Sequence, residues 1–180
     1  MDDLVASPTS TESPAPHALS PLQAICLTND YIALNHGDLG MFATLFFGVL
    51  DPNTGTLTYV NGGHEPLQLL DPQGQVRWEL KPTGPALGIV PHARFMVQQT
   101  KLIPGEVLLG YTDGITEARA VNAEFFTKAQ LLKSLPQPIE SAEMLLEQIM
   151  QQVLQHTQFA KKWDDITLLA VRRQPDPEEK

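Results

Sequence analysis

Val107-Leu-Leu-Gly-Tyr-Thr-Asp-Gly114 is an apolar run that ends abruptly in a Thr-Asp-Gly turn. Its counterpart is Trp163-Asp-Asp-Ile-Thr-Leu-Leu169, in which two acids precede a second apolar run. Both runs read as strands, and the chain between them reads as helical. If the strands are antiparallel neighbours, the end of one lies beside the start of the other. Asp113, Asp164 and Asp165 then meet at one sheet edge. Clustered carboxylates suit a hard cation such as Mg²⁺ or Mn²⁺. Such an ion acidifies bound water and clamps phosphoryl oxygens. A plain Asp-Gly turn and a solvated strand cap account for the same spacing.

Working outward, all 12 glycines lie between Gly37 and Gly114. That block predicts strands and turns, flanked by glycine-poor helices. Leu22, Ile25, Cys26, Ile32 and Ala33 recur at helical spacing, so 21–36 reads as an amphipathic helix. His36 at its end suits the helix dipole, so capping accounts for it. Phe42–Leu50, apolar on both faces, reads as a central strand. Asp51–Gly55 is a turn and Thr56–Asn61 the returning strand. Leu67–Leu70 and Gln75–Leu80 form a second hairpin about Asp71–Gly74. In it Val76, Trp78 and Leu80 alternate with polar residues, which places Trp78 in the core. Arg94–Thr100 and Glu106–Tyr111 are strands, with Pro104-Gly105 in a type II turn between them. Phe125–Leu135 and Ser141–Phe159 are helices, the second capped by Ser141. Ile166–Arg173 is the final strand. The order is α+β, and the last strand has to return into the earlier sheets.

Composition narrows the functional classes. The chain has 180 residues, 42% of them hydrophobic, which is enough for a core. Its net charge of -9 disfavours nucleic acid as a partner. More than half of that charge rides on two tails, 1–20 and 174–180, which read as disordered. One cysteine, Cys26, excludes an internal disulfide and a cysteine zinc cluster, and it sits on the helix stripe as core. No secretory signal is visible, and the longest apolar run, Met41–Leu50, is about half a membrane span. The expected compartment is the reducing cytoplasm. The pair Lys161-Lys162 beside Trp163 reads as a solvated loop. In Asn61-Gly-Gly-His-Glu-Pro66 the glycines Gly62 and Gly63 permit close backbone approach, and His64 has proton-transfer chemistry to offer. A tight turn with a solvated histidine accounts for the same residues.

These segments resemble a family. Met41-Phe-Ala-Thr-Leu-Phe-Phe-Gly-Val-Leu-Asp51, Tyr59-Val-Asn-Gly-Gly-His-Glu-Pro66, Gly84-Pro-Ala-Leu-Gly88, Leu102-Ile-Pro-Gly-Glu106, Tyr111-Thr-Asp-Gly-Ile-Thr-Glu-Ala118 and Asp164-Asp-Ile-Thr167 occur in one order over 41–173. Together they resemble the SpoIIE/RsbU-type bacterial phosphatases of the protein phosphatase 2C (PPM) superfamily. The resemblance implies a four-layer α-β-β-α sandwich with a two-metal centre holding Mn²⁺ or Mg²⁺. It implies hydrolysis of phosphoserine or phosphothreonine on a regulatory protein, with a metal-bound water as nucleophile. Substrates in that branch include STAS-type anti-anti-sigma factors, so sigma factor regulation and signal transduction are the implied setting. Carried over by motif, the resemblance implies Asp113 and Asp164 as metal ligands and Asp165 as a further candidate at the metal site. Gly62, Gly63, His64 and Gly114 fall in substrate or structural loops.

One departure matters. The family's Asp-x-x-Gly-[His/Lys]-Gly motif, whose Asp bridges both metals, does not occur here. The resemblance therefore covers the later part of that domain, 21–173, and the expected sandwich is N-terminally incomplete. Exposed edges then predict a homodimer or a completing chain. Two other readings follow: an inactive remnant that binds a regulatory partner, or a coding region whose remainder lies upstream.

Overall fold

The computed structural model describes residues 20–158 and 164–175. The disorder expected for 1–20 and 174–180, and the solvated loop expected at Lys161-Lys162, fall almost entirely outside these residues. Helix α1 (Pro21–His36) is followed by β1 (Leu45–Leu50), β2 (Thr56–Gly62), β3 (Leu67–Leu70), β4 (Val76–Leu80), β5 (Gln98–Lys101) and β6 (Val107–Tyr111). Then come α2 (Asp113–Thr116), α3 (Lys128–Lys133), α4 (Ala142–Thr157) and β7 (Leu168–Arg172). The strands form two antiparallel sheets, ordered β1-β2-β5 and β4-β3-β6-β7.

Strand alternation builds the layers. Leu67 and Leu69 of β3 face the other sheet and meet Leu57, Tyr59, Leu80, Leu102 and Leu108. Each such side chain contributes about 1.5–3 kcal/mol on burial. Leu70, Val107, Leu109 and Tyr111 face the opposite way, onto Leu131, Leu145, Ile149 and Val153 of α3 and α4. Val60 points out of the three-stranded sheet and packs with Ile25, Leu87 and Phe95, which seats α1. The result is the expected α-β-β-α sandwich, in which β3 and β6 are fully buried.

Local chemistry sets the helix ends. Ser20 and Gln23 form a capping box ahead of α1, with Pro21 at its first position. Fully buried Asn29 donates to the Val90 carbonyl (3.0 Å) and accepts from Gly88 N–H (3.0 Å), tying α1 to the loop after β4. Asp30 next to it accepts from the backbone and ring of His92, and the backbone bond chiefly holds its carboxyl below the usual range. Ser141 caps α4 as expected. Helix α3 is shorter than Phe125–Leu135, because a Thr127–Gln130 capping box starts it late and Ser134 ends it.

Two arginines join the sheets. Glu106 is fully buried, and Arg77 reaches it from β4, donating from Nε and, at 2.9 Å, from Nη2. The same guanidinium donates to the Lys101 carbonyl of β5 (2.8 Å), while Ile103 N–H donates to the Glu106 carboxylate (3.0 Å). Arg173, just past β7, donates to the carbonyls of Leu102 (2.8 Å) and Thr54 (2.9 Å).

Two expectations are corrected. The stretch Phe42–Leu50 is not a central strand: β1 pairs with β2 alone and lies at a sheet edge. Its Val49 is accordingly 54% exposed. Trp78 does face the inter-sheet layer, being paired with Leu69, yet it is 60% exposed and is not core. The physical reason is width. The facing sheet has three strands and stops short of β4, the outer strand of four.

Urea unfolding separates the two residues. Arg77→Met strands a buried carboxylate and is expected to cost about 2 kcal/mol, discounted from the ~3–5 of a fully buried pair because Arg77 is 40% exposed. Trp78→Ala is expected to cost less than about 1 kcal/mol, against ~3–5 for a core tryptophan.

Candidate active site

Strands β6 and β7 are antiparallel neighbours, with Tyr111 opposite Leu168. The end of one therefore lies beside the start of the other. Thr112 makes the join. Its N–H donates to the Thr167 carbonyl (3.1 Å), its hydroxyl donates to the Asp165 carbonyl (3.2 Å), and it accepts from Thr167 N–H (3.0 Å). Asp113 then opens the short helix α2, which the sequence reading did not anticipate. Gly114 is buried directly against the acidic turn: a Cβ there would lie 2.5 Å from the Asp165 carbonyl oxygen. A residue with a side chain would force the two motifs apart.

The carboxylates themselves are less concentrated than their backbones. Asp113, Asp164 and Asp165 are all exposed. Asp164 accepts from the Asp165 N–H (2.7 Å), so one of its oxygens caps its own turn. Among the described residues, no group of three or more His, Cys, Asp or Glu side chains is placed to hold a metal ion. A hard divalent cation takes six or more oxygen ligands. The described residues thus bring together the two motifs without a complete metal cage.

The Asn61-Gly-Gly-His64 segment is held firmly. Fully buried Asn61 donates to the Leu80 carbonyl (3.1 Å) and accepts from His64 N–H (2.8 Å). Gly63 has φ 66°, and a Cβ on it would lie 2.5 Å from Ala86 N. Gly62 and Gly84 form a bridge, so this segment packs on Gly84–Gly88. Gly62 and Gly63 are there for close packing. His64 lies within 3.4 Å of the Thr44 hydroxyl through Nδ1. Its ring lines a cavity of about 220 Å³ whose opposite wall includes Tyr111, Thr112, Thr167 and Leu169. The cavity thus runs between the sheets from His64 to the residues flanking Asp113 and Asp165.

Tyr111 ends β6 just before Thr112, and its side chain lies on the helix-facing side of the sheet. Its hydroxyl and the Gln68 Oε1 are buried without hydrogen-bond partners among the described residues. Burial, aided by the charges of Glu65 and Glu79, pushes the Tyr111 phenol up to about 12. Sequence reasoning missed Thr112 and Tyr111, whose roles depend on the pairing of β6 with β7. The signal available was their place beside Asp113.

The α-β-β-α sandwich is the fold of protein phosphatase 2C domains. The SiaA-PP2C domain of Pseudomonas aeruginosa shares that fold with a TM-score of 0.67 at 18% identity, over 86% of this chain and 61% of that one. The chain belongs to the SpoIIE family: the model of Stage II sporulation protein E (SpoIIE) matches residues 7–174. It is 46% identical over 152 residues to Protein IcfG of Synechocystis, covering 84% of this chain and 24% of that protein. It is 28% identical over 137 residues to the phosphoserine phosphatase RsbU of Bacillus subtilis, covering 76% of this chain and 40% of RsbU. The chain thus spans less than half of these curated relatives.

Two outcomes check this geometry. Gly114→Ala pushes on the Asp165 backbone and is expected to cost about 1–3 kcal/mol in thermal or urea unfolding. Tyr111 and, more weakly, Tyr59 have raised phenol pKa values, so their neutral forms favour the folded state. That contribution is complete below pH ~10 and is lost as pH rises toward ~12. Tyr111→Phe is expected to flatten most of that alkaline loss, measured as unfolding free energy against pH.

Proposed function

We propose that this chain carries the Asp113/Asp164 part of a metal-dependent protein serine/threonine phosphatase centre. The centre is completed by carboxylates from a polypeptide segment beyond the described residues. The observation that carries this reading is the Thr112–Gly114 contact with Asp165, which holds the two acidic motifs of a SpoIIE-family chain side by side. The reaction is hydrolysis of a phosphoserine or phosphothreonine ester. The metal, Mn²⁺ or Mg²⁺, would acidify water and shield the phosphoryl charge. Asp113 and Asp164 would supply two of its oxygens. His64 faces the same inter-sheet cavity and is our candidate for a contact to the bound phosphoprotein.

Several features support completion by further chain. Strands β1 and β7 are the outer strands of their sheets, and the cavity lined by Leu45, Phe46 and Leu169 lies between them. Val49 of β1 is 54% exposed and Leu169 of β7 50%. A pair of strands laid along β1 and β7 would cover these side chains and approach Asp113 and Asp164. The name of RsbU as a phosphoserine phosphatase supports a phosphoprotein substrate, for which a STAS-type anti-anti-sigma factor in the cytoplasm is our reading.

A second reading has its own observation. The described residues lack a three-ligand metal cluster, which favours a partner-binding, catalytically silent module for the chain alone.

Mn²⁺-dependent release of phosphate from a phosphoserine peptide decides between them. The isolated chain is expected to bind Mn²⁺ more weakly than about 0.1 mM and to turn over little. Adding the completing segment is expected to raise turnover at least about 100-fold, and Asp113→Asn to abolish the gain. Turnover that survives Asp113→Asn would overturn the assignment of Asp113. No turnover in the completed, folded complex would leave the binding module as the function.

A further inference from the structure

His64 is fixed by more than a solvent-facing turn needs. Fully buried Asn61 accepts the His64 N–H at 2.8 Å and is itself anchored on the Leu80 carbonyl. Gly62 and Gly63 pack so tightly on Leu87 and Ala86 that a Cβ on either would lie within 2.7 Å of a neighbour. The His64 backbone therefore has little freedom, as a side chain that acts at a defined point requires. The residue is half-buried. Its Nδ1 lies 3.4 Å from the Thr44 hydroxyl, and Nε2 has no hydrogen-bond partner among the described residues.

The ring stands across the inter-sheet cavity from Thr112 and Thr167. Thr112 immediately precedes Asp113, and Thr167 follows Asp165 by two residues. At about 220 Å³ the cavity is smaller than the ~300–1,000 Å³ of drug-sized sites, so one seryl side chain can reach both walls. Histidine is the only residue type in its lining that exchanges protons near neutral pH.

Serine leaves phosphorus as an alkoxide, a strong base, and a positioned acid that protonates such a group contributes ~10²–10⁴-fold. We propose that His64 is the proton donor to the departing seryl oxygen. The inference rests on the phosphatase reading and deepens it, giving a catalytic role to the contact named there. A water oxygen bonds to phosphorus as the P–Oγ bond breaks. The bonding pair stays on Oγ, and the Nε2 proton moves onto it, so serine departs as a neutral hydroxyl. One proton of the water stays on the product phosphate, and the other returns to Nε2 by way of solvent. Thr44, at Nδ1, leaves Nε2 as the nitrogen for this transfer.

The test uses the completed complex with Mn²⁺ and compares two substrates. The leaving group of a phosphoserine peptide needs a proton, whereas that of p-nitrophenyl phosphate departs without one. His64→Gln is expected to lower kcat on the peptide about 100-fold and on the aryl ester less than about threefold. Across a series of aryl phosphates, the variant's rate is expected to fall with leaving-group basicity far more steeply than that of the unaltered complex. General damage to the fold would not produce that difference. Peptide affinity of the Mn²⁺-free complex, read by calorimetry, is expected to change less than about fivefold, because the proton moves only in the transition state. Equal loss on both substrates, no loss on either, or a loss carried wholly by affinity overturns the role of His64 and leaves the phosphatase reading standing. Failure of the unaltered complex to hydrolyse either substrate overturns both.

Discussion

The layer of leucines shared by the two sheets is the constraint on which the rest of the molecule depends. Leu57, Leu67, Leu69, Leu80, Leu102 and Leu108, with Tyr59, form one apolar contact between a three-stranded and a four-stranded sheet. Neither sheet presents this face to water at low cost, so each is held against the other. The fully buried Glu106 sits at one end of the contact and is neutralised by Arg77. That pair is best read as a register device. Its net contribution to stability is modest, but its geometry ties β4 to the start of β6 and to the end of β5.

The edges of the two sheets frame two openings. On one side, β1 and β7 end the two sheets and leave an inter-sheet cavity that reaches Thr112 and Thr167. On the other, β4 extends past β5 and exposes Trp78 above a groove. The first is a largely apolar cavity with His64, Thr112 and Thr167 in its wall. The second is an open groove walled in part by Trp78 and Met96.

Much of this was legible in the residues. The positions of α1, the two hairpins, α4 and the last strand follow from periodicity and turn chemistry, and Ser141 was readable as a cap. Asp113-Gly114 and Asp164-Asp165 stand at opposite strand ends, so they meet once β6 and β7 pair antiparallel, which the structure supplies. Trp78 shows the limit. Alternation correctly assigns its face, but exposure depends on whether another strand lies opposite, and no local pattern encodes that. The same holds for β1, whose apolar residues suit a central position that the sheet order denies it. Thr112 was equally silent, because its hydroxyl acts across 53 residues of sequence.

The sequence by itself determined the order of elements, the family motifs and the identity of the acids. These depend on spacing and side-chain chemistry within short windows. Tertiary structure alone decided which apolar faces are covered, how Gly114 meets Asp165, and that no three metal-capable side chains converge among the described residues. Those outcomes depend on distances between segments far apart in the chain, which only the packing of the two sheets sets.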